Sequence, residues 1–151
     1  MTGLLAAQAG AGILVSGIAY RVPFSQAKAT ADYIHRDNLD TKVIVADPDY
    51  AVSTVAGYLD RPVLFANGRR AGTSVVWDSK CCIPQNPSTM ELALAKATEL
   101  HEDVLVLLNY VPASMDYRMR EIASFQGAIV EDENYHLYLM RQENGSSGAR
   151  R

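Results

Sequence analysis

The chain opens on a run without charge. From Gly3 to Tyr20 it reads GLLAAQAGAGILVSGIAY, and Arg21 ends it. Eighteen uncharged residues reach the lower limit for a helix that spans a bilayer. Small residues recur at Gly3, Ala7 and Ala11, and again at Ala6 and Gly10, a spacing that suits close packing against other membrane helices. The run does not read as a signal peptide. No Lys or Arg precedes its apolar part, and Ala7-Gln8-Ala9 falls before Ile13-Leu14-Val15 instead of after it. Residues 1–21 therefore predict an apolar, membrane-type helix, with a buried or disordered N-terminal extension as the alternative.

Beyond Arg21 the pattern alternates between helical and extended periods. Phe24, Ala27, Ala31 and Ile34 recur at helical spacing, which predicts a helix over Phe24–Asn38 with Pro23 at its start. Thr41–Ala46 (TKVIVA) is a β-branched run that predicts a buried strand. Asp49–Leu59 predicts a helix with Val52, Val55, Ala56 and Leu59 on one face. Arg61–Ala66 (RPVLFA) and Thr73–Trp77 (TSVVW) predict strands on either side of the turn signal Asn67-Gly68. Ser88–Glu102 predicts a helix capped by Ser88 or Thr89, with Leu92, Ala95 and Leu100 inward. Asp103–Asn109 (DVLVLLN) is an apolar strand, and Ser114–Gln126 a helix ended by Gly127. Ala128–Glu131 predicts a strand, and the alternating Tyr135–Arg141 an edge strand. The polar residues 143–151 read as a frayed tail.

Strands spaced by helices imply βαβ units with right-handed crossovers. The expected fold is a three-layer, Rossmann-like or flavodoxin-like α/β domain over residues 22–142 with a mainly parallel sheet.

Composition narrows the function classes. The chain has 151 residues, 48% hydrophobic and 21% charged, which is globular. Its net charge of −3, from 14 basic and 17 acidic side chains, argues against a nucleic-acid binder. Two cysteines, adjacent at Cys81 and Cys82, exclude a disulfide framework and a four-cysteine zinc site. His35, His101 and His136 form neither HxxxH nor HExxH, and there is no GxGxxG, P-loop or GxSxG. No catalytic set and no metal set is evident.

Open α/β sheets bind ligands beyond the carboxyl ends of their strands. Those ends here carry Asp47 and Asp49, then Asn67 to Arg70, then Asp78, then Asn109 and Tyr110. Asp47-Pro48-Asp49 after an apolar strand can place two carboxylates on Mg²⁺, as nucleotide-sugar transferases do to hold a diphosphate, or supply the nucleophile and general acid of a haloacid-dehalogenase-type phosphatase. It also makes a turn in which Asp49 caps the following helix. A phosphatase would further need a downstream lysine; Lys80 and Lys96 lack a recognisable context, and Ala51 stands where that family usually has Thr or Val. Glycine amides with Arg69 and Arg70 can hold phosphate or carboxylate, or form a solvated hairpin loop. Trp77 beside Asp78 suits closure of the core edge. The ligand-binding candidates are Asp47, Asp49, Ser53, Asn67, Arg69, Arg70 and Asp78.

A family resemblance adds to this. PFSQAKATADYI, VIVADPDYAVSTVAGYLDRPV and GRRAGTSVVWD, following a short apolar helix, resemble the C-terminal soluble region of bacterial polytopic membrane glycosyltransferases of the dolichyl-phosphate-mannose–protein mannosyltransferase type. The likeness is best over Phe24–Asp78, about a third of the chain, and rests on Ser25 to Lys28, Ala51 to Leu59, Arg61-Pro62 and Gly72 to Asp78. It implies an accessory, non-catalytic, extracytoplasmic domain or fragment. That domain would be tethered to the membrane by its N-terminal helix and would contact a lipid-linked sugar or acceptor through Asp47, Asp49, Ser53 and Arg69. In that family the acceptor-activating acidic residues lie between N-terminal membrane helices, so the resemblance places no catalytic residue here. Two alternatives come from the residues alone: a Mg²⁺-dependent phosphatase or phosphotransfer domain using Asp47 and Asp49, and a Rossmann-type module binding a small molecule or protein. Without a membrane helix, either would be cytoplasmic.

Overall fold

The structure, a computed structural model, describes residues 2–75 and 88–142. Trp77, Asp78, Lys80, Cys81, Cys82 and the tail at 143–151 lie outside the described residues. The apolar start forms helix α1 (Thr2–Arg21), with Ile13, Leu14 and Val15 exposed. Among the described residues no helix is long and apolar enough to cross a membrane.

The remainder is an α/β arrangement. In chain order it comprises α2 (Ala27–Arg36), β1 (Ile44–Asp47), α3 (Asp49–Leu59), β2 (Val63–Phe65), β3 (Arg70–Gly72), α4 (Thr89–Leu100), β4 (Val104–Leu108), β5 (Met119–Phe125) and β6 (Tyr135–Met140). The strands form one sheet in the order β3-β2-β1-β4-β6-β5. β1 runs parallel to β2 and to β4, whereas β2–β3, β4–β6 and β6–β5 are antiparallel. The expectation of a mainly parallel sheet is corrected: the parallel part is three strands wide, and antiparallel strands extend it on both sides.

The alternation along the strands explains why helices cover both faces. Ile44, Ala46, Phe65, Leu105, Leu107 and Leu137 point to α2 and α3, where they meet Ala31, Ile34, Val52 and Val55. Val45, Val104, Val106, Leu108, Tyr138 and Met140 point the other way, towards Ala93 and Ala97 of α4. With both faces buried, the central strands β1 and β4 read as continuous apolar runs.

Several boundaries depart from the sequence pattern. α2 begins at Ala27 rather than Phe24, because residues 23–26 run beside the β5–β6 connection instead. Phe24 is therefore exposed, while Ala27, Ala31 and Ile34 are buried as the periodicity implies. The first two strands are shorter than expected. The third shifts forward: β3 pairs with β2 across Asn67–Arg69, so Thr73 to Val75 are not strand. α4 is capped by Ser88, whose Oγ accepts from Glu91 N while Glu91 Oε2 accepts from Ser88 N at 2.6 Å. Ala93 and Ala97 are its buried residues, and Leu92 packs half-buried against the same core as expected; Ala95 and Leu100 are exposed.

The largest correction concerns residues 114–131. The helix expected over Ser114–Gln126 is strand β5, and Gly127, with φ +91°, follows a strand and not a helix. The strand expected over Ala128–Glu131 is an irregular segment leading into a short 3₁₀ turn, Glu131–Glu133. β6 is not an edge strand. It lies between β4 and β5, with Tyr135, Leu137, Tyr138 and Met140 buried.

Candidate functional site

Three parallel strands end side by side, and the chain leaves β1 in one direction to β2 while β4 sits on its other side. This is the arrangement in which open α/β sheets leave a crevice between diverging connections. A cleft of about 900 Å³ opens there. Asp47 and Pro48 line it from the end of β1, Ala66 and Asn67 from the end of β2, and Asn109 and Tyr110 from the end of β4. Tyr50 on the first turn of α3, Ser88 to Met90 at the start of α4, and residues 112–116 complete the wall. Its size lies within the range of small-molecule sites.

Asp47 is held in place. Tyr110 Oη donates to Asp47 Oδ2 at 2.7 Å. Burial, and then this bond to a carboxylate, push the Tyr110 phenol well above its usual value, so it stays a donor throughout the physiological range. Asn109 Nδ2 donates to the Asp132 carbonyl at 3.2 Å, which ties the end of β4 to the β5–β6 connection.

Asp49 takes a different role. It is the first residue of α3, not its cap; Pro48 occupies the cap position. Asp49 is 2% exposed and faces Arg70 Nη2 at 3.5 Å. Arg70 also lies over the Phe65 ring, 5.6 Å from its centroid. The two carboxylates of the Asp-Pro-Asp sequence are thus committed to separate partners, Tyr110 and Arg70. Among the described residues no group of three or more His, Cys, Asp or Glu side chains gathers at one point.

The far wall is braced by Asp116. Its carboxylate accepts from the backbone N of Arg118 at 2.9 Å, from Arg118 Nε at 2.8 Å and from Nη2 at 2.6 Å. These bonds hold the Asp116 carboxyl down from 3.8 to about 2. A folded-state value below the unfolded one stabilises the fold above pH 4, and that contribution is lost as pH falls through about 2. An NMR titration of the Asp116 carboxyl is therefore expected to show a midpoint near 2, and Asp116→Asn to remove this part of the acid sensitivity. A midpoint near 4 would contradict the brace.

Of the residues singled out from sequence, Asp47 and Asn67 line the cleft. Buried Asp49 and half-buried Arg70 pair beside it. Ser53 lies one turn along α3, where its Oγ donates to the Tyr50 carbonyl at 3.1 Å, and Arg69 sits in the β2–β3 turn with φ +48°; neither lines the cleft. Asp78 is outside the described residues. Asn109 and Tyr110, placed by sequence at a strand end, do reach the site. Tyr50, Ser88, Thr89, Ser114 and Asp116 were not legible as site residues. The capping motif at Ser88 is the one local signal that marks a helix start there.

No protein-family model, curated protein or solved structure matches the chain.

Proposed function

We propose that the chain is an accessory, non-catalytic α/β domain of a membrane glycosyltransferase, anchored at a membrane through α1. Its cleft would hold a neutral, hydroxyl-rich group, such as the sugar ring of an acceptor or of a lipid-linked donor. One observation carries the choice of ligand. The described lining offers carboxylates (Asp47, Asp116), amides (Asn67, Asn109), hydroxyls and two tyrosine rings, and it contains no Lys or Arg. Carboxylates and amides accept from and donate to sugar hydroxyls, while tyrosine rings cover the apolar face of a pyranose. Asp116 is already paired with Arg118, and among the described lining residues there is no Lys or Arg to take a phosphate.

The placement of α2 and α3 on one sheet face and α4 on the other agrees with a three-layer, Rossmann-like arrangement. The uncharged run of α1 and the resemblance of Phe24–Asp78 to membrane glycosyltransferases favour the anchored, extracytoplasmic setting. A Mg²⁺-dependent phosphotransfer reading would need Asp47 and Asp49 on one ion, and the commitment of Asp49 to Arg70 weighs against it.

A thermal-shift series tests the reading. A bound ligand at ten times its Kd stabilises by about 1.4 kcal/mol, a rise of a few degrees in Tm. Neutral methyl glycosides are expected to raise Tm, and Tyr110→Ala with Asn67→Ala to abolish the rise. A rise with sugar phosphates or nucleotides alone would overturn it.

A further inference from the structure

The carboxyl edge of the sheet that carries the cleft is also the edge to which α1 is attached. β6 is antiparallel to β4, with His136 opposite Leu108, and Phe125 at the end of β5 lies opposite Tyr135 at the start of β6. The connection over residues 126–134 therefore lies on the edge where β1, β2 and β4 end, and the bond from Asn109 to Asp132 joins the two. Residues 23–26 run along this connection. Ile129 N donates to the Pro23 carbonyl at 3.0 Å, Val130 N to the Phe24 carbonyl at 3.4 Å, and Gln26 N to the Glu133 carbonyl at 3.0 Å. Ser25 Oγ adds a bond to Glu133 Oε2 at 2.5 Å. Only Val22 and Pro23 separate Arg21 from Phe24, so α1 ends within about 10 Å of Phe24.

The same edge exposes apolar surface. Phe24 is 66% exposed, Val111 65% and Ile129 49%, with Tyr50 and Tyr110 also partly open. Aliphatic side chains mixed with tyrosines suit the interfacial layer of a bilayer, where the ring sits among headgroups and its hydroxyl stays wet. Charge on this edge is mixed, with Glu131 and Asp132 against Arg21 and Arg69, which suits zwitterionic lipid better than a strongly anionic surface. On the opposite edge Tyr58, Leu100 and Tyr117 are exposed as well, at the C-terminal ends of α3 and α4 and before β5, away from the attachment of α1.

We propose that the carboxyl edge rests on the lipid surface, with Phe24, Ile129 and Val111 in the interfacial layer and the cleft opening at headgroup level. This rests on the reading of α1 as a membrane anchor. It deepens that reading by making the cleft face the bilayer, where the headgroup of a lipid-linked sugar would lie.

Depth-dependent quenching tests it. The full chain, with its single tryptophan removed by Trp77→Phe, would carry one new tryptophan through Phe24→Trp, Val111→Trp or, as control, Tyr58→Trp. Each would be reconstituted with phosphatidylcholine vesicles, with or without bromine in the upper acyl chain. All three new positions are exposed, and the urea midpoint of the Trp77→Phe parent against the unaltered chain checks that the background folds. The expected result is a blue shift and loss of at least half the emission for Phe24→Trp and Val111→Trp, with Tyr58→Trp unchanged. If the chain floats with the vesicles yet Phe24→Trp and Val111→Trp stay unquenched, the apposition is overturned and the anchor survives. If the chain does not float, the anchor fails and the apposition with it.

Discussion

Leu107→Ala is expected to destabilise the fold by about 3–4 kcal/mol, the largest effect of any single truncation considered. Leu107 lies in β4, in the interior of the sheet, opposite Ala46 of β1 and Leu137 of β6. It is completely buried, and its side chain faces the layer formed by α2 and α3. Neighbours on three sides belong to regular elements that cannot collapse into the void without breaking strand register. The cost therefore combines lost transfer energy with a persistent cavity. Against a typical stability of about 5–15 kcal/mol, the loss takes a large share. Urea denaturation measures it as a drop in midpoint at constant slope. A loss below about 1 kcal/mol would mean that this face of the sheet is loosely packed.

The second large effect comes from the pair beside the cleft. Arg70→Met is expected to cost about 2 kcal/mol. Removing the partner of a buried charge commonly costs 3–5 kcal/mol, but Arg70 is 28% exposed and its contact with Asp49 is 3.5 Å long, so the lower figure applies. Methionine keeps most of the aliphatic stem that lies against Phe65, so the loss reports the charge and not the packing. The cost is expected to fall by more than half when Asp49→Asn is combined with it, because the stranded carboxylate is then gone. A double-mutant cycle of unfolding free energies separates the cases. Strictly additive losses would show that Arg70 and Asp49 do not depend on each other.

Legibility in the sequence followed how local the controlling interactions are. α3 was readable because Val52, Val55, Ala56 and Leu59 form one stripe, and all four are buried. β1 and β4 were readable as apolar runs because both their faces are covered. β5 was not. Its burial alternates poorly, and the register shift between Glu121 and Ala123 breaks the period of two that would have marked a strand. Met115, Met119 and Ile122 then imitate helical spacing. The misplacement of β6 at an edge has a related cause. Alternation along Tyr135–Arg141 reports which sheet face each side chain meets, not whether another strand pairs along the edge, and β5 pairs there.

The same distinction holds at the site. Asp47, Asn67, Asn109 and Tyr110 follow strand ends, so the rule for open sheets finds them from sequence. Asp49 and Arg70 share a pattern with ligand-binding residues, but only three-dimensional proximity, 21 positions apart in the chain, reveals them as partners. Ser88, Thr89, Ser114 and Asp116 enter the cleft from a helix start and a loop whose approach to β1 is purely tertiary.

The most direct test of the account is an amide chemical-shift titration of the chain with a neutral methyl glycoside, repeated with inorganic phosphate. Saturable shifts from the glycoside are expected at Asn67, Thr89, Asn109 and Tyr110, with none there from phosphate. Shifts at those four positions from phosphate and not from the glycoside would contradict it, as would glycoside shifts confined to the shallow hollow between Tyr33 and Arg120.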